Sequence, residues 1–311
     1  LQYGEGYIWL YNLISYFFNI NLFSIGLITG FAYSLKLIMI FFLCKHLCNN
    51  HWISIFVTFF YYLILSHIQL PWPDFYSGLF IIFYLIFLSR INNYNYFLNI
   101  TACSFFLFLT FFFRPTYLLN IFSAFLLYFL VEKIFLKKNK FISLSFIFFL
   151  LFSVIYLLIL YFNNNLDLWS YQNFFSVNDY LGNDYKIYNI NINKYLYLFI
   201  KLLWHFFVPK NIFHFSISFI FIINLFYLIY ILFNKTDKNN LTIFLIIFGL
   251  SSLAQALYLY ETFRILNGGV SIFVSTSIFF TDKKINYKIK NTLYVIFFLI
   301  TYNLLGNYPL T

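Results

Sequence analysis

Towards the C-terminus a glutamate and an arginine, Glu261 and Arg264, stand three residues apart between two apolar runs. On a helix that spacing puts both on one side of a turn, where they interact. A guanidinium beside lipid needs an anionic partner or water. The pair therefore reads in two ways: a phosphate site in which Glu261 orients Arg264, or a plain ion pair at a helix end. A second arginine, Arg114, lies in Phe113-Arg114-Pro115-Thr116, a short turn between apolar segments. The planar guanidinium fork grips phosphate in a bidentate way that an ammonium does not. Two such groups on one rim would suit a phosphorylated lipid, whereas a lone Arg114 would simply snorkel to headgroups.

Other residues offer weaker chemistry. Two prolines stiffen Leu70-Pro71-Trp72-Pro73-Asp74, and Asp74 suits the N-cap of the segment that follows. Alternatively Asp74, His67 and His205 line a sugar or acceptor pocket, with Trp72 stacking on an apolar sugar face. Asp167, Asp179 and Asp184 lie in an Asn-rich stretch, as general-base or metal-ligand candidates or as merely solvated acids. Cys44 and Cys48, with His46 and His51 nearby, have metal-like spacing but no second cysteine pair, and a plain helix end explains them better. No Gly-rich phosphate loop or HExxH signature is present in the sequence.

The elements that must position these residues follow from composition. Of 311 residues, 63% are hydrophobic and 9% charged, against roughly a quarter charged in soluble domains. This is the composition of an all-α, multi-pass membrane protein forming one domain over 1–311. The 49 Phe and 29 Tyr sit alongside many Ile, Asn and Lys, and read as a composition bias rather than a ligand box. Basic residues in cytoplasmic loops account for the net charge of +10 without a nucleic-acid partner.

A spanning helix needs about 20 apolar residues, and the hydropathy pattern predicts ten spans: roughly 22–43, 52–66, 75–89, 97–113, 117–136, 141–162, 212–233, 241–257, 265–280 and 291–306. With the N-terminus outside, the inner loops carry Lys45, Arg90, Lys133, Lys137, Lys138, Lys140, Lys235, Lys238, Lys283, Lys284, Lys288 and Lys290, against Glu132, Asp237 and Asp282. That bias fixes the orientation. Lys36 falls inside a span, near its inner end. Residues 7–20 and 195–208 are expected as amphipathic helices on the outer surface, and 163–193 as a long outer loop without secondary structure. Glu5, His67, Asp74, Arg114, His205, Glu261 and Arg264 then all fall on the outer side.

Three stretches carry a family likeness. Gln2-Tyr3-Gly4-Glu5-Gly6-Tyr7, Phe113-Arg114-Pro115-Thr116-Tyr117 and Glu261-Thr262-Phe263-Arg264-Ile265-Leu266-Asn267-Gly268-Gly269 resemble the first outer loop, a middle turn and the late arginine stretch of the GT-C superfamily of integral-membrane glycosyltransferases. The resemblance implies inverting hexosyl or pentosyl transfer from a polyprenyl-phosphate sugar on the extracytoplasmic face of the cell (inner) membrane, in cell-envelope polysaccharide biosynthesis. It places Arg264 and Arg114 on the donor phosphate and expects no bound cofactor, with a divalent cation left open. The family's base is an aspartate after the first span. The chain starts at Leu1 with no leader pattern, near what would be the end of that loop, so that span and base are expected upstream. Glu5 is the acid left to serve. The proline usual after the late arginine is replaced by Asn267-Gly268-Gly269. Two alternatives are an O-antigen or capsular polymerase, which would want arginines in two large outer loops, and a lipid-linked saccharide transporter, which would want charges buried mid-span and repeat symmetry.

Overall fold

The computed structural model describes residues 5–17, 19, 21–66, 73–90, 95–136, 139–175, 208, 212–234, 239–256 and 262–306. Among these residues the chain is all-helical. The helices are α1 (Glu5–Ser15), α2 (Leu22–Cys48), α3 (His51–Ser66), α4 (Pro73–Ser89), α5 (Tyr96–Phe113), α6 (Tyr117–Phe135), α7 (Lys140–Phe162) and α8 (Leu166–Ser170). A π-helical turn (Tyr171–Phe175) follows, then α9 (Ile212–Phe233), α10 (Asn240–Leu250), α11 (Leu253–Ala256), α12 (Thr262–Gly268), α13 (Val270–Thr281) and α14 (Tyr287–Gly306).

Asparagines punctuate this order. The Asn21 side chain accepts from the Ser24 backbone N–H at 2.8 Å while Ser24 Oγ accepts from the Asn21 N–H, a reciprocal cap at the start of α2. Asn139 caps α7 and Asn239 caps α10 in the simpler way. Asn49 ends α2 with φ 49°, the left-handed conformation that asparagine tolerates better than most residues. These four asparagines mark helix ends, while others, such as Asn120 and Asn224, lie within helices.

Among the described residues six helices are long and apolar enough to cross a membrane, with spans at Phe23–Cys48, Tyr96–Phe113, Tyr117–Phe135, Lys140–Phe162, His214–Phe233 and Tyr287–Gly306. Four apolar helices, α3, α4, α10 and α13, are shorter. Two expected spans are interrupted. The 241–257 run breaks at Ser251-Ser252 between α10 and α11, and the 265–280 run breaks at Gly269 between α12 and α13. Apolar composition continues through both breaks, so hydropathy alone cannot reveal them. The expected structureless stretch from 163 onward instead begins with α8 and the π turn. α1 covers the first part of the expected 7–20 helix, and Trp9, Leu13, Tyr16 and Phe17 in and just after it are exposed.

α10 and α13 form the centre. Thr242 to Gly249 and Val270 to Ser277 are all buried, and α10 lies against α6 and α13, while α13 also meets α2, α3 and α9. The outer helices present Ile147, Leu151, Val154, Leu158 and similar side chains outward. Polar groups fasten α13 to α9: Asn224 Nδ2 donates to Thr276 Oγ1 at 2.8 Å, and Ser275 Oγ donates to Asn224 Oδ1. Small residues allow the close approach such contacts need. At Gly249 a Cβ would stand 2.8 Å from Ser271 Oγ and 3.0 Å from the Ile272 backbone nitrogen, whereas at Gly26 it would meet nothing within 4 Å. Gly249→Ala should therefore lower stability to unfolding in detergent by about 1–3 kcal/mol, the usual penalty of overpacking. Gly26→Ala, on the open face of α2, should leave stability unchanged or slightly raised.

Candidate functional site

Three segments distant in sequence meet at one end of the bundle. Asp74 lies in the first turn of α4, Arg114 is the C-cap residue of α5, and Arg264 lies on α12. Arg114 Nε stands 3.5 Å from Asp74 Oδ2, and Arg264 Nε stands 3.9 Å from Asp74 Oδ1. All three residues are buried, Asp74 completely. Both separations exceed an N–H···O hydrogen bond, so these are charge contacts. Neither Asp74 oxygen accepts a hydrogen bond among the described residues.

This geometry revises the reading of Asp74. α4 starts at Pro73, so the proline occupies the first helical position, where its missing N–H costs nothing. Asp74 is therefore inside the first turn instead of being the N-cap, and its carboxylate faces both arginines.

A fourth charge lies nearby. Lys36 was expected near the inner end of its span; it is in fact central in α2, about 21 Å along the axis from Leu22 and about 18 Å from Cys48 at ~1.5 Å per residue. It is fully buried. Its Nζ donates to Asn267 Oδ1 on α12 and lies 4.7 Å from the Phe75 ring centroid and 5.6 Å from that of Tyr61. Such cation–ring contacts offset part of the cost of desolvation. Gly78 makes room for this arrangement, since a Cβ there would stand 2.6 Å from Lys36 Nζ and 2.8 Å from Asn267 Oδ1. Gly78 is one turn below Asp74 on α4, about 6 Å along the helix axis.

α12 has only seven residues, and α6 holds it. Tyr117 Oη donates to the Arg264 carbonyl and Asn120 Nδ2 to the Gly268 carbonyl, both at 3.4 Å. Tyr117 and Asn120 lie one turn apart on α6, and the carbonyls they reach lie one turn apart on α12. Nearby, the buried Tyr61 hydroxyl and Asn120 Oδ1 find no hydrogen-bond partner among the described residues. The result is a buried cluster of two guanidiniums, an ammonium and a carboxylate among apolar side chains, with acceptor capacity to spare. It is suited to a ligand carrying negative charge and hydroxyl groups.

The other sequence candidates are distributed differently. Glu5 does not touch the arginines; it accepts a 2.9 Å hydrogen bond from Tyr156 Oη on α7. Asp167 is exposed in α8. His67, Trp72, His205, Glu261, Asp179, Asp184 and nearly all of the 195–208 segment lie outside the described residues. Cys44 is buried, and Cys48 Sγ contacts the Asn50 carbonyl and Ser54 Oγ. The described residues contain no group of three His, Cys, Asp or Glu placed to hold a metal ion. Sequence reasoning placed Lys36 inside a span but assigned it no role, although a lysine within an apolar span is itself a signal of function. Asn267 was noted only as part of the late stretch, although its three-residue spacing from Arg264 was available.

Comparison of the chain with protein-family models, with curated proteins and with solved structures gives no match. The function must therefore be argued from this cluster.

The two kinds of buried charge make opposite predictions. Asp74→Ala leaves two guanidiniums facing each other in an apolar site and should cost about 3–5 kcal/mol in detergent unfolding. Lys36→Met removes a desolvated cation whose direct partner is a neutral amide, and should leave stability within about 1 kcal/mol of the parent or raise it. Equal losses in the two variants would show that Lys36, like the arginines, draws its stability from Asp74.

Proposed function

We propose that this chain is an integral-membrane glycosyltransferase of the GT-C type. It transfers a sugar from a polyprenyl-phosphate donor to a lipid, glycan or protein acceptor on the extracytoplasmic face of the cell membrane. The observation that carries this reading is the convergence of Arg114 and Arg264 on buried Asp74. Guanidiniums gathered within an apolar bundle suit a lipid phosphate that approaches from the bilayer and not from water. In this reading the six long helices and the four shorter apolar segments make ten crossings. The lysine-bearing loops lie inside, and α1 rests on the outer surface.

The chemistry assigns each group a role. The acceptor oxygen attacks the anomeric carbon from the face opposite the phosphate. The bond from that carbon to the phosphate oxygen breaks, and its electron pair leaves with polyprenyl phosphate. Arg264 and Arg114 stabilise the charge that develops there, in a setting where fixed donors act strongly. Asp74, whose oxygens have acceptor capacity to spare, holds a sugar hydroxyl. Glu5 receives the acceptor proton, oriented by Tyr156, and Glu261 orients Arg264.

A transporter of lipid-linked saccharides is the second reading, and two observations favour it. Lys36 is a charge buried mid-helix, and the α10/α11 and α12/α13 segments are interrupted, as the substrate-binding helices of transporters are. Proteoliposomes holding the full chain and polyprenyl-phosphate hexoses or pentoses separate the two. Formation of a glycosidic bond with release of polyprenyl phosphate supports the transferase; lipid crossing the bilayer with no new bond selects the transporter. For the transferase, Arg264→Ala should cut turnover about 10²–10³-fold while the protein still folds. Arg264→Lys should recover only part, lacking the bidentate fork. Undiminished turnover in Arg264→Ala would remove that residue from the mechanism.

A further inference from the structure

Away from the charged cluster, α2 and α4 part company. They approach closely at Gly78, beside Lys36, and beyond that point a groove of about 370 Å³ opens between their C-terminal halves. Met39 and Phe42 on one side and Phe83 and Phe87 on the other form its walls, and its far end is rimmed by His46 and Arg90. From Met39 to His46 and from Phe83 to Arg90 the lining covers eight residues on each side, about 10 Å at ~1.5 Å per residue. No carboxylate lines the groove. Lys45, in the last turn of α2 beside His46, adds a further positive charge near that rim.

Arg90 is held in place through its backbone. Its carbonyl accepts from Asn99 Nδ2 at 3.3 Å and its N–H donates to the Phe87 carbonyl at 3.2 Å. The side chain is exposed and makes no ion pair with a described residue. The gradient along the groove, from apolar at Met39 and Phe83 to cationic at Arg90 with the His46 imidazole beside it, matches that of a lipid with an anionic head. A zwitterionic head would bring its own cation against the rim. We propose that this groove binds one anionic glycerophospholipid, its acyl chain between α2 and α4 and its phosphate against Arg90 and His46. The site is separate from the Asp74 cluster and stands whether the protein transfers sugars or carries them.

Native mass spectrometry of the full chain from detergent micelles, with phosphatidylglycerol and phosphatidylcholine of identical acyl chains in equal amounts, tests this. Phosphatidylglycerol adducts should dominate. Arg90→Gln should lower them about fivefold, towards the phosphatidylcholine level, and Arg90→Lys should retain most of the binding. Because Arg90 is exposed, its variants should melt like the parent. Met39→Trp, which fills the groove, should reduce both lipids. Equal occupancy by the two lipids in the parent, or a phosphatidylglycerol preference that survives Arg90→Gln together with His46→Gln, overturns the proposal.

Discussion

Charge cannot be left alone in hydrocarbon, and the fold around residue 74 answers that constraint. A carboxylate, two guanidiniums and an ammonium are buried in a chain with only 9% charged residues. Insertion scales put each such group at roughly 2.5–3.5 kcal/mol at the middle of a spanning helix. Asp74 meets that cost for two cations at once, which ties α4, α5 and α12 together. Lys36 is accommodated differently, by a neutral amide and two aromatic faces. The same cluster thus contains one tightly constrained charge group and one held by softer contacts.

The interrupted helices follow from the same need. A continuous span through 262–281 could not both aim Arg264 and Asn267 at α4 and α2 and bury Val270 to Ser277 against α9 and α10. The turn at Gly269 separates the two tasks. Carbonyls near the break are taken up by Tyr117 and Asn120, so the irregular backbone faces protein and not lipid, the condition under which a membrane allows it.

Much of this was legible in the sequence, and the parts that were not have physical reasons. Segment positions came through because hydropathy is a property of composition along the chain. Arg114 and Arg264 were placed on one rim because alternating spans bring their turns to the same side. Asp74 was misread because an aspartate after a proline fits a helix cap as well as it fits an arginine partner; only the packing of α5 and α12 distinguishes the two. Lys36 was assigned to an inner end because a span of ordinary length was drawn where the helix runs on to Cys48. The breaks at Ser251-Ser252 and Gly269 were invisible because serine and glycine are as common in packed spanning helices as in turns.

The cluster also carries a timing. Asp74 and Arg114 are made well before Arg264, since Tyr117 and Arg264 are 147 residues apart. At about 5–20 residues per second, that separation lasts roughly 7–30 s of synthesis. Through that interval the newborn helices hold Asp74 with Arg114 and Lys36, one positive charge fewer than the finished cluster. The second arginine arrives on a seven-residue helix and docks against an acid already in place. The cluster gains its second guanidinium only when Arg264 has been made, so a chain stalled before that residue presents lipid phosphates with Arg114 alone beside Asp74.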